Sequence, residues 1–444
     1  MKFGTDGVRG VAGLDLTTEF AHRLARAAAR VLAPAESAGP AMVVIGGDTR
    51  ESTPGFVAAL AAGFAAEGLT VEDLGVVPTP VVAYEAQRLG ALGAMVSASH
   101  NPYRDNGIKL FAAGGSKLND DLQTRIEHEL EAIASMPAPP PAPSSALVDS
   151  SASRVAYRGH VLAQLEERRL DSLRVVLDTA HGAAYDVGPE VLRAAGASVE
   201  VLHAAPDGRN INDGCGATDP ASLARAVVGS GADLGVALDG DADRLIAVDQ
   251  RGRIIDGDHI IAICAGDLRE RGRLRDDTVV VTVMSNLGFR LAMERDGIHV
   301  VETPVGDRYV LEALNVGGFS LGGEQSGHVI FADAATTGDG LLTAVVLLDI
   351  VARRGPLAGL ADAAMTSLPQ VLVNVPLAQR LPDAAQRLAD AIEPIERQLG
   401  DHGRVLVRSS GTEPLLRIMV EAETSEQAEV AAAALATTAS ERFA

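Results

Sequence analysis

Leu234-Gly235-Val236-Ala237-Leu238-Asp239-Gly240-Asp241-Ala242-Asp243-Arg244 decides the fold. Its first five residues read as a buried strand, and the acidic stretch begins where that strand ends. Ligands in open α/β sheets bind outside the carboxyl ends of strands, so this junction marks a site as well as a fold class. Three carboxylates at alternate positions repel one another unless a cation lies among them, and a hard divalent ion takes oxygen ligands. An EF-hand loop opens with the same spacing, but Arg244 stands where that loop needs Gly and Gln250 where it needs Glu. A solvated acidic turn is the other reading of the loop.

The pattern repeats outward along the chain. Met42–Ile45, Ala94–Val96, Arg174–Leu177, Thr278–Val283 and Arg404–Val407 read as further buried strands, and Phe20–Leu32, Phe56–Glu67 and Asp120–Ile133 as helices, the last capped by Asn119. Alternating strands and helices imply parallel or mixed sheets covered on both faces. Five prolines in Ser135–Ser145 mark a linker. The units expected are 1–145, 146–250, 251–367 and a smaller α+β unit, 368–444; element order in the first three suggests a structural repeat.

Polar clusters follow other strands. Ser97-Ala98-Ser99-His100-Asn101-Pro102 presents serines on a forced turn, as a nucleophile or as an ordinary hydrogen-bonded loop. In Gly322-Gly323-Glu324-Gln325-Ser326-Gly327-His328, the alternating Glu324, Ser326 and His328 would face one way if the loop were extended, as partners of sugar hydroxyls would. Arg408-Ser409-Ser410-Gly411-Thr412-Glu413-Pro414, with Arg417 beyond, reads as an anion cradle or as a capped loop with solvated arginines. Phe3–Gly10 places Arg9 in a turn, and Asn106-Gly107-Ile108-Lys109 could bring an amine to the serine loop. Gly-Lys pairs, HExxH and GxSxG are absent from the sequence.

Composition limits the function. The 444 residues are too many for one core, and roughly two to four units are expected. A net charge of −21 argues against a nucleic-acid partner or an anionic membrane surface, and any positive charge for a phosphorylated substrate must be local. Cys215 and Cys264 form neither a disulfide framework nor a metal cage by themselves. The opening residues lack the apolar core of a signal peptide and no stretch approaches ~20 uninterrupted apolar residues, so the expected location is the cytoplasm.

With these four loops in this order, the sequence resembles the α-D-phosphohexomutase family over essentially its whole length. The resemblance implies three similar α/β/α domains with mixed sheets, then a smaller α+β C-terminal domain, with one loop from each meeting in a central cleft. It implies a phosphorylated Ser99, with Asp239, Asp241, Asp243 and a phosphoserine oxygen holding Mg²⁺. Glu324, Ser326 and His328 would bind the sugar, and Arg408, Ser410, Gly411, Thr412 and Arg417 the phosphate that is not reacting. Arg9, His100 and Lys109 match positions near the reacting phosphate, Lys109 as the candidate general acid/base.

The activity implied is an isomerase of phosphosugars, working through a bisphosphorylated sugar that reorients between two transfers. Gly4–Gly10, Gln325 and Asp207-Gly208-Arg209-Asn210-Ile211-Asn212 resemble the amino-sugar branch. That branch implies glucosamine 6-phosphate and glucosamine 1-phosphate as substrates, hexosamine 1,6-bisphosphate as intermediate and activator, and a place on the route to UDP-N-acetylglucosamine. A homodimer is compatible with it. The rivals are a glucose- or mannose-phosphate mutase of the same mechanism, an aspartyl-phosphate phosphatase using Asp239, and a catalytically inactive sugar-phosphate sensor.

Overall fold

The computed structural model describes residues 3–4, 7–33, 41–134, 151–379, 381–409 and 414–443. The linker Ser135–Ser145 and the loop residues Ser410, Gly411 and Thr412 lie outside them. Val-, Ile- and Leu-rich runs form three sheets of one design. The first contains β1 (Val8–Val11), β2 (Met42–Gly47), β3 (Thr70–Val76), β4 (Leu92–Val96) and β5 (Asp105–Phe111), in the order β1-β5-β4-β2-β3. The second contains β6 (Arg174–Asp178), β7 (Ser198–Leu202), β8 (Leu234–Leu238), β9 (Leu245–Asp249) and β10 (Ile254–Ile255), ordered β10-β9-β8-β6-β7. The third contains β11 (Thr278–Thr282), β12 (His299–Thr303), β13 (Leu321–Gly323) and β14 (Val329–Phe331), ordered β12-β11-β13-β14.

In each sheet the first strand of a parallel trio lies between the other two, and an antiparallel strand follows the third. Thus β2 pairs in parallel with β3 and β4, and β5 runs back along β4. β6, β7, β8 and β9 repeat this, and so do β11, β12, β13 and β14. The repeat suggested by element order is therefore one of topology. β4, β8 and β11 bury every residue, which is why they read as continuous apolar runs rather than alternating ones. The expected strands and helices are present, most of them longer by one to three residues at an end. Asn119 caps its helix as expected, accepting the Leu122 N–H at 2.9 Å.

The described chain divides into two units, Met1–Met284 with Ile298–Ala364, and Ser285–Gly297 with Met365–Ala444. The second is built on β15 (Gln370–Pro376), β16 (Arg404–Ser409) and β17 (Leu415–Glu421), an antiparallel sheet ordered β15-β17-β16. The helix Leu287–Arg295 belongs to this unit although it connects two strands of the third sheet. Its Leu287 N–H donates to Glu421, and the Asn286 side chain bonds both the N–H and the carbonyl of Leu368. Among the described residues no helix is long and apolar enough to cross a membrane.

Candidate active site

The serine loop is the hairpin connection from β4 to β5. Ser99 is buried and left-handed, with φ at 52°. A non-glycine residue takes that conformation only where its surroundings hold it there. Its Oγ donates to Asp239 Oδ2 at 2.7 Å and lies 3.3 Å from His100 Nδ1. Its own N–H donates to Ser97 Oγ at 2.9 Å, and that hydroxyl donates to Asp48 at 2.6 Å. Asp48 is paired with Arg50, whose Nη2 donates to the carbonyls of Ser99 and Asn101. Sequence reasoning missed Asp48 and Arg50. The signal was available, because both stand just beyond the carboxyl end of β2.

The acidic loop connects β8 to β9 and brings Asp239, Asp241 and Asp243 together, buried, with ligand oxygens within 4.8 Å of one another. Asp239 Oδ1 accepts the Arg244 N–H at 3.2 Å. Asp241 Oδ2 accepts from Thr79 Oγ1 at 2.6 Å and from Lys109 Nζ at 2.8 Å, and Asp243 Oδ2 accepts from Lys109 at 2.9 Å. Lys109 on β5 thus stands against the acidic loop. Burial and the charges of Asp243 and Asp241 push the Asp239 carboxyl up to about 8. Burial would also raise Asp243, but Lys109 and His328 beside it hold it well below the usual carboxylate range.

Asp241 Oδ1 is buried without a hydrogen-bond partner among the described residues, and Asp243 Oδ1 has His328 Nδ1 at 3.7 Å and Arg244 Nε at 3.9 Å, beyond hydrogen-bond distance. Unpaired buried oxygens cost free energy, and a cation between them would remove the cost. The donor set is all carboxylate and hydroxyl oxygen, which fits Mg²⁺.

A cleft of ≈ 370 Å³ opens beside this cluster, and Arg9, His100, Arg244, Asp307, Glu324 and His328 are among its walls. Arg9 lies on β1, paired through Gly107 to β5, rather than in the expected turn. The pairing leaves its backbone fixed while its side chain reaches the cleft. Burial, with the charges of Arg244 and Arg9, lowers the His100 pKa to about 4, so its imidazole is neutral at neutral pH.

The sugar loop is a tight turn from β13 to β14, not an extended segment. Gly327 N–H donates to the Glu324 carbonyl at 3.0 Å, and Gly327 is left-handed, where a Cβ would meet the Leu245 carbonyl oxygen at 2.2 Å. The turn links Ser326 Oγ to Glu324 Oε2 at 3.4 Å, and Gly306 N–H donates to Glu324 Oε1 at 3.2 Å. His328 is buried, with Nε2 accepting the Gly338 N–H at 3.0 Å and Nδ1 3.7 Å from Asp243 Oδ1. Gln325 packs towards Asp256, 3.4 Å away, and so ties the turn to the helix Gly257–Glu270.

In the second unit, Arg408 on β16 and Arg417 on β17 are direct cross-strand partners. Like charges opposite each other are destabilising. Burial and the Arg417 charge lower the Arg408 pKa, and Arg417 Nε is buried without a partner. An anion would satisfy both.

A second group of possible ligands, Asp178, His203 and Cys215, is already saturated. Asp178 accepts the N–H groups of Ala180 and Gly216 and lies 2.9 Å from His203 Nδ1, while burial pushes the Cys215 thiol up to about 12. This cluster fastens loops.

Three sheets of one topology carry a serine, an acidic triad and a polar turn at equivalent hairpins, and the second unit carries an arginine pair. Models of the phosphoglucomutase/phosphomannomutase family match α/β/α domain I at residues 1–136, domain II at 155–252, domain III at 256–368 and the C-terminal domain at 372–438. The chain belongs to this family, whose members are isomerases. It is 56% identical to a phosphoglucosamine mutase of Frankia alni, covering 98% of this chain and 97% of that one. A phosphoglucosamine mutase of Rhodococcus opacus is 52% identical, with 98% of each covered. Among solved structures, a phosphoglucomutase/phosphomannomutase family protein from Burkholderia thailandensis shares the fold, with a TM-score of 0.80 at 24% identity over 98% of this chain and 97% of that one.

Proposed function

We propose that this chain is a phosphoglucosamine mutase, interconverting glucosamine 6-phosphate and glucosamine 1-phosphate through a phosphoserine at Ser99. The observation that carries the mechanism is Ser99 Oγ hydrogen-bonded to Asp239, with buried oxygens on Asp241 and Asp243 beside it that accept no hydrogen bond among the described residues. The relatives at more than half identity support the amino-sugar substrate.

Asp239, Asp241 and Asp243 would hold Mg²⁺ together with an oxygen of the phosphorylated serine. Bound there, the ion would neutralise charge on the phosphoryl group in transfer. In the forward direction the phosphoryl group leaves Ser99 Oγ for the free sugar hydroxyl at position 1, whose proton passes to a base of the site. The resulting bisphosphate turns end for end, and its other phosphoryl group returns to Ser99 Oγ, leaving a hydroxyl that regains a proton. Lys109, which pairs with Asp241 and Asp243, would carry that proton; Arg9 and Arg244, which line the cleft, would be phosphate partners, and His100, neutral, would orient the serine oxygen. Glu324 and Ser326, with His328 supporting the turn, would read the sugar. Arg408 and Arg417, together with Ser410, Gly411 and Thr412, would hold the other phosphate. The family resemblance extends the proposal to cytoplasmic UDP-N-acetylglucosamine supply and to a homodimer.

The test is to incubate the protein with Mg²⁺, a trace of hexose bisphosphate and glucosamine 6-phosphate, following glucosamine 1-phosphate and the intact mass. Product together with a phosphate on Ser99 is the expected result. A phosphorylated Ser99 with turnover only of glucose or mannose phosphates would reassign the substrate. Unmodified Ser99 in a preparation that still turns over would overturn the mechanism.

A further inference from the structure

Asp207–Asn212 carries a resemblance to the amino-sugar branch, yet among the described contacts none of its residues touches the sugar turn. The segment instead reaches from the second sheet's domain to the first. Gly208 accepts the Glu51 N–H at 2.9 Å, and Arg209 pairs with Glu51. At its end, Asn212 Nδ2 donates to the Ser99 carbonyl at 2.9 Å and to the Asn101 carbonyl at 3.2 Å. These are the two carbonyls that Arg50 Nη2 also bonds, so two donors from different domains converge on one turn of backbone.

The same amide lies against the acidic loop. A Cβ on Gly240 would stand 2.5 Å from the Ser99 carbonyl oxygen and 2.8 Å from Asn212 Nδ2. Only glycine allows this approach, so the serine carbonyl, the Asn212 amide and the backbone between Asp239 and Asp241 pack as one unit. Asn212 is itself left-handed, at φ 58°, and is fixed through its N–H to the Ala180 carbonyl at 3.0 Å.

From this convergence we infer that Asn212 is a positioning residue for phosphoryl transfer: it holds Ser99 in its left-handed conformation and in register with the acidic loop. The inference rests on the phosphoserine reading. Ser99 Oγ must be the donor to one sugar oxygen and then the acceptor from the opposite end of the same sugar. An intermediate that turns in the cleft therefore relies on a serine that does not move. With the Asn212 donor removed, the Ser99 and Asn101 carbonyls keep the Arg50 guanidinium but lose the bond from the second sheet's domain, and the register with Gly240 loosens.

The test compares the full-length protein with Asn212→Gly, which keeps the backbone conformation, Asn212→Asp, which keeps the shape but replaces the donor with a carboxyl group, and Arg209→Ala, which alters the same segment away from the serine. Steady-state kinetics with glucosamine 6-phosphate are run with and without added hexose 1,6-bisphosphate, alongside melting temperature and intact mass. Both Asn212 variants should lose about 10- to 100-fold in kcat with KM within about threefold, as small misplacements of reacting groups do. Their turnover should also depend more steeply on added bisphosphate, because an intermediate facing a displaced serine escapes more often. Arg209→Ala should remain within about twofold of the parent. The inference is overturned if both Asn212 variants keep the parental kcat and bisphosphate dependence, or if their loss tracks a lowered melting temperature with no change in that dependence. Unphosphorylated Ser99 in an active parent protein would remove the underlying phosphoserine reading instead, a result read from the parent's mass alone.

Discussion

Asp239 illustrates how one carboxylate can serve two opposed demands. It receives the Ser99 hydroxyl and the Arg244 N–H, yet burial and two neighbouring carboxylates push it up to about 8. Asp239→Asn keeps an oxygen for one of these two donors and removes a group that can ionise beside Asp241 and Asp243. We predict that the variant loses at least ~100-fold in Mg²⁺-dependent turnover, since it removes charge stabilisation at the transferring group. Its melting temperature without Mg²⁺ should equal or exceed the parent's, and the rise that Mg²⁺ gives the parent should be absent. A variant that still gained stability from Mg²⁺ would remove Asp239 from the metal assignment. The acidic triad was legible because its residues are adjacent in sequence. Asp48 and Arg50 were passed over although they follow a strand, Thr79 because its bond to Asp241 spans 162 residues, and Asn212 was noted only within a resemblance, since its bonds to Ser99 and Asn101 cross more than a hundred residues.

At the scale of elements, the connection Asp239–Arg244 depends on the missing side chain at Gly240. Gly240→Ala would drive a Cβ into the Ser99 carbonyl, an overpacking of about 1–3 kcal/mol, and should lower stability by that amount in chemical denaturation. The helix Gly340–Arg354 offers a pH test. Its N-cap, Asp339, accepts from Leu342 N–H and Tyr157 Oη, and burial raises its pKa to about 6. A carboxyl whose folded pKa lies above its unfolded one stabilises the fold below the unfolded value and loses that contribution as pH rises through the folded one. Unfolding free energy should therefore fall between about pH 4 and pH 7 by roughly 2–3 kcal/mol from this group. Asp339→Asn should remove that slope, and an unchanged slope would disprove the assignment. Continuous apolar strands and capped helices announced themselves in the sequence. The sugar turn did not: alternation of Glu324, Ser326 and His328 suggested an extended loop, but Gly327 closes it, and no local pattern reports the Leu245 carbonyl against which it packs.

At the scale of the whole molecule, a chain of net charge −21 must gather its cations where phosphate is to bind. On the proposed function, the cross-strand pair of Arg408 and Arg417 in the second unit would be one such place, kept despite mutual repulsion. Arg417→Leu should raise KM for glucosamine 6-phosphate by at least about tenfold, as loss of a charged hydrogen-bonding partner does. It should leave thermal stability equal or improved, because a guanidinium that repels Arg408 and whose Nε has no partner among the described residues is gone. A lower melting temperature with unchanged KM would show the pair to be structural.

The recurring order of the three sheets has a consequence for how such a molecule can change over time. In each, the active connection leaves one strand and returns along its neighbour, so both ends are anchored in the same sheet register. Away from positions pinned as Gly240 and Gly327 are, what lies between those ends can change without disturbing the layers beneath. A duplicated ancestral module would thus have supplied three sockets of one shape, free to be fitted separately with a nucleophile, a counter-charge and a reader of sugar.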